Sequence, residues 1–118
     1  MGFDDLSIYK EKIDSLNIFK LQGHINSFTG EKLLNEVSEA IRTGPIIMDL
    51  EEISTLSSSG LKTLREISEI VYTEKARLIL LNLSSTVKQT LQMANMKSIF
   101  PIADNEELAM KLVNIRVR

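Results

Sequence analysis

"PIIMDLEEISTLSSSGLKTL", residues 45–64, joins an almost wholly apolar run to a triple-serine turn and then to the start of an amphipathic pattern. The run "PIIMDL" (residues 45–50) is short and bounded by breakers, which suits a strand covered on both faces in a parallel sheet. After the serines, Leu61, Leu64, Ile67, Ile70 and Val71 recur at spacings of three and four, with Lys62, Arg65, Glu66 and Glu69 on the other side. That pattern predicts a helix with one buried face. A buried strand, a loop over residues 51–60 and a helix in succession form the repeating unit of a parallel α/β sheet.

The alternation extends in both directions. "LSIYKEKI" (residues 6–13) and "LNIFKLQGHI" (residues 16–25) carry β-branched and aromatic residues around the turn-prone pair Asp14-Ser15, and predict a hairpin. Leu33, Leu34, Val37, Ala40 and Ile41 predict a first helix over residues 29–42, stopped by Gly44-Pro45. "ARLILLNL" (residues 76–83) repeats the buried-strand signature, and Ser84-Ser85-Thr86 offers N-cap oxygens to a helix carrying Val87, Leu91 and Ala94. Met93 and Met96, near the end of that helix, are expected to fill core gaps. "SIFPIA" (residues 98–103) predicts a short strand that Pro101 limits to an edge or strand end. Asp104, with Glu107 three residues on, resembles a capping box opening a last helix through Leu108 and Leu112. Residues 114–118 read as a frayed tail. The order β-β-α-β-α-β-α-β-α predicts one α/β domain over residues 1–118, with four helices and a mixed, mostly parallel sheet whose first strand is antiparallel.

Composition narrows the functions such a domain serves. With 118 residues, 43% hydrophobic and 25% charged, the chain suits a single core. A net charge of -2 lacks the cationic balance of a nucleic-acid binder. The absence of cysteine removes disulfides, thiolate nucleophiles and Cys-ligated zinc, and suits a reducing compartment. "MGFDDLSIYKEK" has acidic residues where a signal peptide carries positive charge. The longest apolar runs, "PIIM" and "LILL", fall far short of the roughly 20 residues a spanning helix needs. A cytoplasmic protein without membrane or nucleic-acid contact is expected, as a monomer or weak dimer.

In open α/β sheets, function gathers at the carboxyl ends of the strands. Two loops there stand out, "GHINSFTG" (residues 23–30) and "EEISTLSSSG" (residues 51–60). If their strands are neighbours, His24, Asn26 and Ser57 to Ser59 share one face. One reading of the serines is plain capping, in which one hydroxyl accepts from the helix amides and the others face solvent. Gly60 then permits close packing at the helix start. The other reading is modification, because free amides and the helix dipole favour an added negative charge there. His24 stands alone without acidic or sulfur ligands nearby, so neither a metal nor a cofactor is expected. A hydrolase would pair Ser58 with His24, oriented by Asp49 or Glu51. Against it, "LSSSGL" lacks the first glycine of a nucleophile elbow. "GHINSFTGEK" fails as a phosphate loop, since Lys32 does not directly follow a glycine.

The strand-loop-helix "PIIMDLEEISTLSSSGLKTL" resembles the signature of the STAS domain of anti-sigma factor antagonists, an apolar strand that runs through a loop into Asp-Ser-Ser-Gly-Leu. "GHIN" resembles the family's turn after the second strand, and "ARLILLNLSSTVKQTLQMANMKSIFPI" its later strand-helix-strand stretch. The resemblance implies a small bacterial binding protein and not an enzyme. Its partner would be an anti-sigma factor that is also a serine kinase, with binding blocked by serine phosphorylation and restored by a phosphatase. By position the acceptor is Ser58, with Ser57 and Ser59 as alternatives. Partner contacts are expected from His24, Asn26, Ser57, Ser59, Gly60, Leu61, Lys62 and Arg65. Two family aspartates are replaced here, by Ser57 and by Asn26, which makes the face less acidic. A constitutive scaffold in a larger signalling complex also fits those replacements.

Overall fold

The third strand in the sequence occupies the centre because its first residues are apolar on both sides. Ile46, Ile47, Met48 and Leu50 are all buried, and each such side chain contributes roughly 1.5–3 kcal/mol when removed from water. The structure, a computed structural model, describes residues 5–114. Its elements are β1 (Leu6–Ile13), β2 (Leu16–Ile25), α1 (Gly30–Ala40), β3 (Ile46–Leu56), α2 (Ser58–Thr73), β4 (Leu78–Leu81), α3 (Ser85–Met93), β5 (Ile102–Ala103) and α4 (Glu106–Val113). The five strands lie in the order β1-β2-β3-β4-β5. Only the β1–β2 hairpin, closed by Asp14 in the left-handed region (φ 54°), is antiparallel. The element order and sheet are those expected from the sequence.

The helices divide unequally between the two faces. Leu33 and Val37 of α1, Leu64 and Ile67 of α2, and Val87 and Leu91 of α3 pack with Phe19, Leu21, Met48, Leu50 and Leu80 in the main core. The alternate strand residues, Leu16, Ile47, Ile79, Leu81 and Ala103, meet α4 through Ala109, Leu112 and Val113 on the other face. At the outer edge, Lys10 of β1 donates to Glu36 of α1 at 2.7 Å; that hydrogen bond and the attraction between the charges raise the lysine's pKa.

Five expectations need correction. Residues 51–56, expected as loop, continue β3. The cap of α4 is Asn105, whose Oδ1 accepts from the Leu108 amide at 2.8 Å, not Asp104. β5 ends at Ala103, so Asp104 is one residue short of the position from which a side chain reaches the first turn. Leu108 is 38% exposed, because the stripe of α4 that meets the sheet runs through Ala109, Leu112 and Val113. Met93 is 87% exposed while Met96 is buried; two residues past Leu91 is about 200° around a helix, which turns Met93 to solvent. The final strand is also shorter than "SIFPIA" suggests. Of the expected frayed tail, Asn114 is the C-cap of α4, and residues 115–118 lie outside the described residues.

Candidate functional site

The site is built where β2 and β3 end side by side. These strands pair in parallel from Asn17↔Ile46 to Ile25↔Leu56, with register shifts after Lys20 and after Gly23. At each shift β3 advances one residue more than β2, as a β-bulge does. The two strands therefore finish level, and the Ser57 amide donates to the Ile25 carbonyl at 3.0 Å. The two segments that follow are thereby brought together, as the sequence predicts.

Ser57 is the N-cap of α2. Its extended backbone (φ -80°, ψ 174°) lets Oγ accept from the Gly60 amide at 3.1 Å. Ser58 and Ser59 form the first helical positions and are exposed, and such first-turn amides have no acceptor within the helix. Gly60 is buried with its Cα against Ile25; an added Cβ would run into that residue's carbonyl oxygen. Close packing at the helix start is thus the role of this glycine.

Asn26 organises the facing turn. Its Oδ1 accepts from the amides of Phe28 (2.9 Å) and Thr29 (3.2 Å). Thr29 Oγ1 accepts from the Asn26 amide at 3.0 Å and donates to the His24 carbonyl at 2.7 Å. Both departures from the family motif, Ser57 and Asn26, therefore serve as hydrogen-bond acceptors for backbone amides. A carboxylate accepts in the same way, so the substitutions remove charge and keep the turns.

His24 lies at the same edge, half-buried, with Nδ1 2.7 Å from Thr55 Oγ1 on β3. Its hydrogen bond goes to that threonine and not to a serine of the turn, so the Ser58–His24 pair of a hydrolase is not formed. Asp49, a candidate orienter, accepts from the Glu51 amide at 2.9 Å and lines a cavity of about 690 Å³ on the α4 face, with Tyr9, Ile18, Ile47 and Met110. Glu51, the other candidate, is exposed. Lys62 and Arg65 are exposed on α2, whereas Leu61 is half-buried and packs against the main core. Among the described residues no group of three His, Asp or Glu side chains is placed to hold a metal ion, and no helix is long and apolar enough to cross a membrane.

Sequence reasoning passed over Thr29, Thr55 and Thr63. Thr63 Oγ1 donates to the Ser59 carbonyl at 3.2 Å and sits where Gly30, the first residue of α1, comes closest to α2. It also passed over Phe28, which is 75% exposed in the turn that Asn26 holds. The signal for Phe28 was present in "INSFTG": the residue falls in a turn, outside every apolar stripe.

A mixed five-stranded sheet with exposed serines at the start of the helix that follows its central strand makes this a small α/β domain. The chain belongs to the STAS domain family, whose model matches residues 7–109. It is 28% identical over 106 residues to BtrV of Bordetella bronchiseptica, itself designated a candidate anti-sigma factor antagonist, with 88% of this chain and 91% of that protein covered. Its fold is that of an anti-sigma factor antagonist from Mycobacterium paratuberculosis (TM-score 0.80, 18% identity, 95% of this chain and 97% of that one). It is also that of the anti-sigma factor antagonist SpoIIAA in its unphosphorylated form (TM-score 0.73, 23% identity, 94% and 100% covered). Bacillus SpoIIAA in the phosphorylated form gives a TM-score of 0.66 at 23% identity, with 89% and 98% covered.

Proposed function

We propose that this chain is an anti-sigma factor antagonist that works in the bacterial cytoplasm by binding, without catalysis, and is switched off by phosphorylation of Ser58. The partner is an anti-sigma factor with serine kinase activity, and a phosphatase resets the switch. Docking uses the edge formed by His24, Asn26, Ser57, Ser59, Lys62 and Arg65, with Leu61 beneath it; Gly60, expected as a contact, is buried against Ile25 and only seats the helix. The observation that carries the reading is the division of labour in the serine turn. Ser57 is engaged as the cap, while Ser58 is exposed at the first position of α2. A phosphate there adds about -1.5 to -2 charge beside free amides. The fold tolerates it, and the cost falls on a partner docked against this edge. The family membership and the existence of SpoIIAA in both forms support the same reading.

The test is intact-mass spectrometry with site mapping after incubation with ATP and each anti-sigma kinase of the source genome. One phosphate on Ser58, absent in Ser58→Ala, is expected. A kinase that binds the chain yet leaves it unmodified would sink the switch and leave a constitutive binder or scaffold.

A further inference from the structure

A phenylalanine standing in water at the tip of a hydrogen-bonded turn contributes nothing visible to the fold. Phe28 keeps 75% of its surface exposed and belongs to neither core cluster. The turn does not call for an aromatic residue. What Asn26 grips is the Phe28 amide, at 2.9 Å, and any residue but proline supplies that donor. The side chain is therefore free to serve something outside the chain.

Its position is fixed relative to the serines by three contacts. The Ser57 amide is tied to the Ile25 carbonyl at 3.0 Å, one residue before Asn26. Gly60 abuts the same carbonyl, leaving no room for a side chain. Two residues beyond Phe28, Gly30 abuts Thr63, whose hydroxyl holds the Ser59 carbonyl at 3.2 Å. The turn bearing Phe28 and the turn bearing Ser58 thus form one preorganised surface, and ordering it on association costs little. The exposed aromatic also has few side-chain rotations to lose. Tyr72 is as accessible, at 86%, but sits near the far end of α2, which at sixteen residues is about 24 Å long.

We propose that Phe28 is the apolar anchor of the serine edge, and that the protein docking there receives it in an apolar pocket. This rests on the reading that a partner protein docks at that edge. Anchors of this kind are aromatic, lie near the centre of an interface and carry most of its affinity, while the polar contacts around them exclude water. Because the two turns are clamped together, a phosphate on Ser58 cannot be avoided by swinging Phe28 aside. Anchor and switch therefore act on one docking event.

The test measures binding by calorimetry of the full chain to each purified anti-sigma factor kinase of the source genome, using Phe28→Ala, Phe28→Leu, Tyr72→Ala and Ser58→Glu. Phe28→Ala should weaken binding by about thirtyfold or more, the loss that marks an anchor. Phe28→Leu should recover most of it, and Tyr72→Ala should stay within about twofold of the parent. Phe28→Ala within about tenfold of the parent, while Ser58→Glu abolishes binding, overturns the anchor and leaves the proposed function standing. Loss with Phe28→Ala and none with Ser58→Glu supports the anchor and counts against the switch. Light scattering that finds a dimer dispersed by Phe28→Ala assigns the residue to a second copy and overturns the proposal. If no kinase binds the parent chain, both readings fall.

Discussion

Replacing Gly60 with alanine sets two well-defined effects against each other, and the structure says which wins. In an exposed helix position the change stabilises by about 1 kcal/mol, because glycine is the poorer helix former. Gly60, however, is buried at the third position of α2. A Cβ there would strike the Ile25 carbonyl oxygen and approach Leu56 Cδ1 to 2.8 Å and the Ile25 carbonyl carbon to 2.9 Å. The obstacle is mainly backbone in a paired strand, so relief requires α2 to move away from β2. That displacement stretches the Ser57–Ile25 hydrogen bond, a contribution of about 1 kcal/mol, and adds an overpacking cost of about 1–3 kcal/mol. Subtracting the propensity gain leaves a net loss of about 1–3 kcal/mol. For a domain of this size that is a fall in Tm of roughly 4–12 °C. Thermal melts and urea titrations followed by circular dichroism measure it. A Gly60→Ala chain that melts at or above the parent temperature would refute the packing argument, since it is what helix propensity alone predicts.

Ser57→Ala should cost about 1 kcal/mol by urea titration, while Ser57→Asp should stay within about 0.5 kcal/mol of the parent because aspartate is an equal N-cap. Asn26→Ala should destabilise by about 1–3 kcal/mol, as the amides of Phe28 and Thr29 lose their acceptor. Asn26→Asp keeps the acceptor and places a negative charge before α1, so its Tm should match or exceed the parent's. At the other end of the chain, Asn105→Ala should cost about 1 kcal/mol and Asp104→Ala less than about 0.5 kcal/mol. The reverse order would restore Asp104 as the cap.

The sheet and its helices were legible because their periodicities are simple. "PIIMDL" and "LILL" are apolar without interruption, and α2 repeats its apolar residues at three and four. The second half of β3 was not legible, and the bulges explain why. They place Leu50, Ile53 and Leu56 on the core side at intervals of three, where a flat strand would repeat every two. Such spacing hides a strand inside what reads as a polar loop. The serine turn was legible as a cap because its residue types perform that job locally. Which serine caps was not, since Ser57 qualifies through the extended backbone that β3 imposes on it. His24's partner was hidden for the same reason: Thr55 reaches it only through the shifted register His24↔Thr55. Met93 and Leu108 show the remaining limit, because apolar type marks a helix but not which margin of its stripe meets the core.

The two bulges also make residues 51–56 a measured spacer. Their extra residues let β3 end level with β2, so the length of this stretch, more than its composition, decides where the serines stand. Deleting one residue would retract the start of α2 by about 3.3 Å and turn the following side chains to the opposite face. Gly60 would then leave its seat on Ile25, and Ser58 would no longer point from the edge that Phe28 shares. The exposed positions of this segment, Glu51, Glu52, Ser54 and Thr55, are open to exchange in a way that its length is not.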